Sequence, residues 1–287
     1  MHWKEHLKGS LSILKEAYCS AVETGNIDFI GYSTFDYCFN AYSVGCKLRD
    51  LEKELSVYYK IPSNTKNKTC LTWLKMYLQI ISNLLGKAEN PSQLIGEFYD
   101  EEQFMLLQPL QIKLSDKQGL FLLYLNKLML CYLFGKSHEA AKNAVVAEPY
   151  LDGVMGMAAI PIFYFYDSLA HLSIFTDSLN VEKEIALKRV EANQEKMQIW
   201  ANHAPMNYLH KFYLVEAEKA RVLEQFLDAI DYYDRAISLA KENEYIHEAA
   251  LAYELAAKFY LSKGKEVTAK AYMQEAHYCY QLWGAVA

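Results

Sequence analysis

The sequence predicts an all-α protein, an α-solenoid of tetratricopeptide-like helical hairpins, from three observations. Residues 244–283 read as two helices around a Lys263-Gly264-Lys265 turn, with Tyr253, Ala257 and Tyr260 on the first and Ala269, Met273 and Ala276 on the second. In such a hairpin the small residues Ala257, Ala269 and Ala276 let the helices approach closely, while Tyr253, Tyr260 and Met273 fill the gaps between neighbouring hairpins. Forty residues earlier the same frame recurs as Tyr213, Ala217 and Ala220, then Ala229, Tyr233 and Ala236. Composition is the third observation. An apolar fraction of 52% with 23 Tyr and 13 Phe can line a core between helix layers, and 12 Gly with 6 Pro are too few for an all-β chain, which needs turn residues about every 8–12 positions.

Taken in order, residues 2–24 carry Trp3, Leu7, Leu11, Leu14, Tyr18 and Ala21 at helical spacing and stop at Gly25. A second helix is expected over 29–44, with Asp28 as a candidate N-cap and Gly45 as the stop. A third spans 47–60 and closes at Pro62 and the polar turn 63–65; a fourth spans 69–85 and ends at Gly86. Between 87 and 117, Pro91, Gly96, Pro109 and the Asp100-Glu101-Glu102 cluster interrupt the periodicity. Helices at 119–134 and 137–150 make a looser hairpin, with Tyr124, Leu128 and Cys131 before the Gly135 turn and Ala140, Ala144 and Ala147 after it. Phe35, Phe39 and Tyr42 hint at one more copy. Pro161 opens or kinks a helix, 181–200 is a highly charged helix, and Pro205 suits the first turn of the next, where a missing N–H is harmless.

One hairpin cannot bury its apolar faces, so at least three stacked repeats are needed. The expected organisation is therefore N-terminal helical repeats over 1–86, an irregular connecting segment over 87–118 and C-terminal repeats over 119–287, or one continuous array.

Charge and cysteine usage exclude several classes. A formal net charge of -6 and a pI near 5.8 leave no general basic footprint, so no nucleic-acid partner is expected. The 6 cysteines show no CxxC pair and read as free thiols of a reducing cytosol. The longest nearly uncharged run, 153–166, is shorter than the roughly 18 residues of a membrane span. Residues 1–8 are charged and lack the apolar core of a signal peptide. A cytoplasmic protein without a membrane partner is expected.

The chemistry-bearing residues read mostly as architecture. Phe134-Gly135-Lys136-Ser137 resembles the end of a phosphate-binding loop, but the position of the first loop glycine is Leu130, inside a helix. His2 and His6 have the spacing of two metal ligands, at a terminus expected to be mobile and with no cysteine nearby. Of His203 and His210, flanking the helix start at Pro205, a buried hydrogen-bonded role is expected over a catalytic one. Asp228, Asp231 and Asp234 fall on one exposed helix face. No catalytic residue, cofactor or metal site is expected. Tyr272, Tyr278, Tyr280 and Trp283 form a candidate interaction surface, since Tyr and Trp are favoured interface anchors.

The stretches SQLIGEFYDEE, LNKLMLCYLF, AEPYLDGVMG, ANQEKMQIWANHAPMNYLHKFYLVEAEKAR and ELAAKFYLSKGKEVTAKAYMQEAHYCYQLWGA resemble the helical-repeat region of very large bacterial signalling kinases, best known in cyanobacteria. The resemblance covers essentially the whole chain. It implies a place beside a Ser/Thr kinase domain, a signal-transducing ATPase, a GAF-type sensor and often a histidine kinase. None of that family's catalytic motifs occurs here: there is no HRD, DFG, Walker A or histidine-kinase ATP-binding box. Relatives in that family continue towards the sensor after the point where Gly284-Ala285-Val286-Ala287 closes this sequence, which fits either an excised segment or a small stand-alone gene. The expected role is a scaffold for protein–protein or interdomain contacts. The rival is a small-molecule-responsive regulator with a pocket between helical sub-arrays, lined by 87–117 and the histidine near Pro205.

Overall fold

The computed structural model describes residues 2–59, 68–107 and 116–287. Among them the chain is all-helical, with thirteen α-helices and a single isolated β-bridge, Ile95 to Asp100, in place of any strand. The helices are α1 (Ser10–Glu23), α2 (Ile27–Ser43), α3 (Leu48–Tyr59), α4 (Lys68–Leu84), α5 (Glu101–Leu107), α6 (Lys117–Leu133) and α7 (Ser137–Ala147), then α8 (Ala159–Ser173), α9 (Asn180–His203), α10 (Pro205–Val222), α11 (Phe226–Glu242), α12 (Ile246–Ser262) and α13 (Glu266–Trp283). No helix among the described residues is long and apolar enough to cross a membrane.

One turn recurs at seven helix ends. Two residues past each of α1, α2, α4, α6, α10, α11 and α12 stands a left-handed residue: Gly25, Gly45, Gly86, Gly135, Glu224, Glu244 and Gly264. The N–H that follows reaches back five residues into the helix, as in Lys136 to Cys131 O at 2.7 Å and Gln225 to Ala220 O at 2.9 Å. This is the Schellman closure, which satisfies a carbonyl the helix end would leave orphaned. Five of these turns join consecutive helices through three residues, which forces the pair to run antiparallel. The phosphate-loop-like Gly135-Lys136-Ser137 is one of them. From α10 onward the turn residue returns every twenty positions, at 224, 244 and 264.

The chain divides into two compact units, residues 2–6 with Pro161–Trp283, and Leu7–Ile160 with Gly284–Ala287. In the unit of Leu7–Ile160, α1 packs on α2, α2 and α3 on α4, α4 on α6, and α6 on α7 and a 3-10 turn at Glu148–Val154. Its aromatic centre brings Phe35, Phe39 and Tyr42 of α2 against Trp73 and Tyr77 of α4, with ring centroids 5.1–6.0 Å apart in the closest pairs. The described part of the expected irregular stretch, 87–107 and 116–118, lies inside this unit. It docks on α4 through two buried amides: Gln79 Oε1 accepts from Phe98 N at 3.0 Å, and Asn83 Nδ2 donates to the carbonyls of Pro91 and Gln93. Two apolar anchors, Leu94 and Tyr99, are buried beside them. Beside Asn83, Val286 N and Ala287 N donate to Leu84 O, the last carbonyl of α4.

In the other unit α10 packs on α9 and α11, α12 on α11 and α13, and α10 also touches α12. The small positions expected to permit close approach are all buried: Ala217, Ala229, Ala236, Ala257, Ala269 and Ala276. Buried ion pairs pin the layers. Asp167 of α8, fully buried, accepts from Arg189 Nε at 2.8 Å and Asn193 Nδ2 at 2.6 Å, both on α9, and sits by its own His171. Burial opposes its charge, but His171 and Arg189 outweigh that and hold its pKa below the usual carboxylate range. Glu218 of α10 takes Arg221 at 2.6 Å on one oxygen and the Tyr233 hydroxyl of α11 on the other.

Several boundaries differ from the sequence reading. The helix expected over 2–24 begins only at Ser10, after a 3-10 turn at Leu7–Gly9. The N-cap of α2 is Asn26, whose Oδ1 accepts from Phe29 N at 3.3 Å, so Asp28 lies in the first turn, where its charge still suits the helix dipole. Pro161 sits in the first turn of α8, where its lost N–H is an orphan. The turn expected at 62–65 and the break at Pro109 lie outside the described residues.

Candidate functional site

Around the start of α10 a set of polar side chains is closed off from water. His210 and Lys211, on α10, are 2% and 3% exposed, and both meet Glu248 of α12, 3% exposed. Lys211 Nζ donates to Glu248 Oε2 at 2.6 Å and to the Asn207 carbonyl at 3.1 Å, one turn back along its own helix. His210 Nε2 meets the same carboxylate oxygen, and His247 Nε2 approaches its other oxygen at 3.7 Å. Tyr245, at the mouth of α12, covers the group: the His210 ring lies 4.7 Å from its ring, and Lys211 Nζ sits 4.3 Å over it.

Charge states follow from this geometry. Burial disfavours the ammonium of Lys211 and lowers its pKa; Glu248 opposes that shift. For Glu248 burial works against the charged form, but Lys211 and His210 outweigh it and its pKa falls well below the ordinary value. Burial, reinforced by Lys211, pushes His210 down to about 4, and burial, reinforced by Lys211 and His210, does the same to His247. The Nδ1 atoms of both histidines make no hydrogen bond among the described residues. A neutral ring tolerates that, whereas protonation would strand an N–H in the interior. The group is thus a Lys–Glu ion pair flanked by two neutral imidazoles.

The predicted interaction surface, Tyr272, Tyr278, Tyr280 and Trp283, lies on α13, and the tyrosines of α10–α12 add a second, repeated arrangement. Tyr213 of α10 stacks on Tyr232 of α11 at 5.9 Å, with planes 22° apart. Forty positions on, Tyr253 of α12 meets Tyr272 of α13 at 5.7 Å. Each pair carries a cation: Arg235 lies over Tyr213 at 5.3 Å, and Lys241 over Tyr253 at 5.8 Å. Tyr272 also donates to Asp234 at 2.9 Å and packs on Tyr260 at 5.1 Å. All five tyrosines are half-buried, each with part of its ring in solvent.

Of the residues the sequence singled out, Tyr233 is fully buried under Phe259 of α12 at 5.6 Å. Met273 of α13, its counterpart forty positions later, is 42% exposed. Trp283 leaves the proposed surface altogether: it is 2% exposed, with its ring 5.0 Å from His247. Tyr278 is 55% exposed, and Tyr280 is half-buried with its hydroxyl on Glu254 at 2.9 Å. His203 is exposed and His210 buried, and Asp228, Asp231 and Asp234 are exposed. His2 and His6 do not converge on a common point: His2 Nδ1 meets Tyr208 Oη at 2.6 Å, and His6 Nε2 meets Asn243 O at 2.8 Å. The Lys211–Glu248 pair was invisible to helical spacing, since its partners are 37 residues apart on helices that are not consecutive. Periodicity could have flagged Lys211 and Glu248 as charges on buried faces.

No protein-family model matches this chain, and no solved structure does. Over 49 residues, 17% of its length, the chain is 45% identical to hybrid signal transduction histidine kinase G of Dictyostelium discoideum. That stretch makes up 1% of the kinase. It gives the chain a local likeness to a signalling histidine kinase.

Proposed function

We propose that this chain is a non-catalytic helical-repeat scaffold, cytoplasmic, that makes protein–protein or interdomain contacts in kinase and ATPase signal transduction. In this reading α10–α13 are two tetratricopeptide-like hairpins of an α-solenoid, with a forty-residue period longer than the 34 or so of a tetratricopeptide. The observation that carries it is the tyrosine pair repeated in register, Tyr213 with Tyr232 and Tyr253 with Tyr272, each half-open to solvent and topped by a cation. Rigid, amphipathic rings beside mobile charges are the usual composition of an interface anchor. The local likeness to a histidine kinase supports the signalling context. A non-catalytic role is supported by His210, Lys211 and Glu248: they are acid–base residue types, but all are buried and engaged with one another.

The test is capture by the immobilised chain from lysate of a cell carrying such bacterial kinases, with and without ATP. Capture of a kinase's ATPase or sensor segments by the wild type, lost in the Tyr213→Ala/Tyr253→Ala variant, supports the scaffold. Equal capture by both, or none by either, contradicts it.

A further inference from the structure

Residues 2–6 do not continue α1. They form a tight turn seated on the unit of α8–α13. The side chain of Asn207, 1% exposed in the first turn of α10, donates both its amide hydrogens to this turn, to His2 O at 2.9 Å and Glu5 O at 2.7 Å. Its orientation is fixed from behind, because the Tyr245 hydroxyl donates to Asn207 Oδ1 at 2.8 Å and so turns the NH2 group outward. Trp3 lies between two rings, Trp200 of α9 at 5.8 Å and Tyr208 of α10 at 5.9 Å. The His2 ring meets the Tyr208 hydroxyl. His6 closes the other end, its ring 5.3 Å from Tyr245 and its Nε2 on the Asn243 carbonyl. Between the anchors, Lys4 and Glu5 project into solvent.

This is the anatomy of peptide recognition. Two main-chain carbonyls are read by one buried amide, an aromatic side chain sits on two rings, a histidine is held three residues later, and the intervening side chains are free. We propose that Asn207, Trp200, Tyr208 and Tyr245 form a recognition site for a turn with an aromatic residue followed three positions later by histidine, and that residues 2–6 occupy it in cis. The partner is a protein segment of that chemistry, which gains access by displacing residues 2–6. A tethered occupant acts at an effective concentration of roughly millimolar, so the cis segment holds the site against weak competitors. The Lys211–Glu248 pair gains a role as support: Lys211 fixes the Asn207 carbonyl and underlies the Tyr245 ring. This site is separate from the tyrosine pairs and does not depend on their function.

The experiment uses the full chain and a fluorescent peptide of residues 2–9, His-Trp-Lys-Glu-His-Leu-Lys-Gly, read by anisotropy. Trp3→Ala loosens the cis segment without touching the site, and it should bind the peptide at least tenfold more tightly than the wild type. Adding Asn207→Ala should abolish that gain. Should Asn207→Ala fail to fold by circular dichroism, the same peptide with Ala in place of its Trp supplies the second readout and should bind at least tenfold more weakly. A folded Trp3→Ala chain that binds the peptide no better than the wild type overturns the proposal, as does equal binding of the two peptides.

Discussion

The Tyr245 hydroxyl, at the N-cap of α12, donates to Asn207 Oδ1 of α10 at 2.8 Å, and that bond sets the orientation of a buried amide. Tyr245→Phe removes that donor. The expected loss is about 1 kcal/mol in urea denaturation, the usual net contribution of one hydrogen bond. Amide exchange in residues 2–6 should quicken in the same variant.

Stability should fall as the solution is acidified through the weakly acidic range. His210 and His247 are held down at about 4 by burial, against an ordinary value near 6.5. Between those values the unfolded chain binds more protons than the folded one, so stability is fully present above pH 6.5 and is lost as pH falls towards 4. His247 faces Glu248, Lys211 and His210, with the rings of Tyr245 and Trp283 beside it. Its own shift corresponds to roughly 3 kcal/mol by linkage. Urea midpoints measured across this range should slope upward with pH, and His247→Phe should flatten the slope. An unchanged slope in that variant would place the titration elsewhere.

The recurrent turn gives opposite predictions at equivalent positions. Glu224 holds a left-handed backbone at φ 60°, which a side chain disfavours by about 1–2 kcal/mol relative to glycine's freedom there. Glu224→Gly should therefore raise thermal stability, by roughly 0.5–1 kcal/mol after the entropy of the unfolded chain is counted. At Gly264, φ 70°, an added Cβ meets nothing within 4 Å, so Gly264→Ala tests conformation alone and should lower stability by about 1 kcal/mol.

Much of the fold was legible because helical spacing and turn glycines are local signals: the ends of α1, α2, α4, α6 and α12 follow Gly25, Gly45, Gly86, Gly135 and Gly264. The left-handed Glu224 and Glu244 were not, since glutamate carries no turn signal of its own. The alanines that recur forty residues apart are buried, while Met273, at the position equivalent to the buried Tyr233, is exposed. What escaped altogether were pairings between distant positions, Asn207 with residues 2–6 and Lys211 with Glu248. Such contacts arise only once the hairpins are packed.

Trp283 and Tyr278 separate core from surface at the end of α13. Trp283→Ala empties a buried site and should cost about 3–5 kcal/mol, whereas Tyr278→Ala, at a 55% exposed position, should change stability by no more than about 0.5 kcal/mol. Chemical denaturation of the two variants side by side decides it. Comparable losses in both would return Trp283 to the surface.

The scaffold account is tested most directly by the affinity of the purified chain for the kinase segment it captures, measured by calorimetry for the wild type and for Tyr213→Ala/Tyr253→Ala. The account predicts a loss of at least tenfold in the variant, with the far-ultraviolet circular dichroism of both chains the same. Unchanged affinity in a folded variant would show that the repeated tyrosine pairs are not the binding face, and would contradict it.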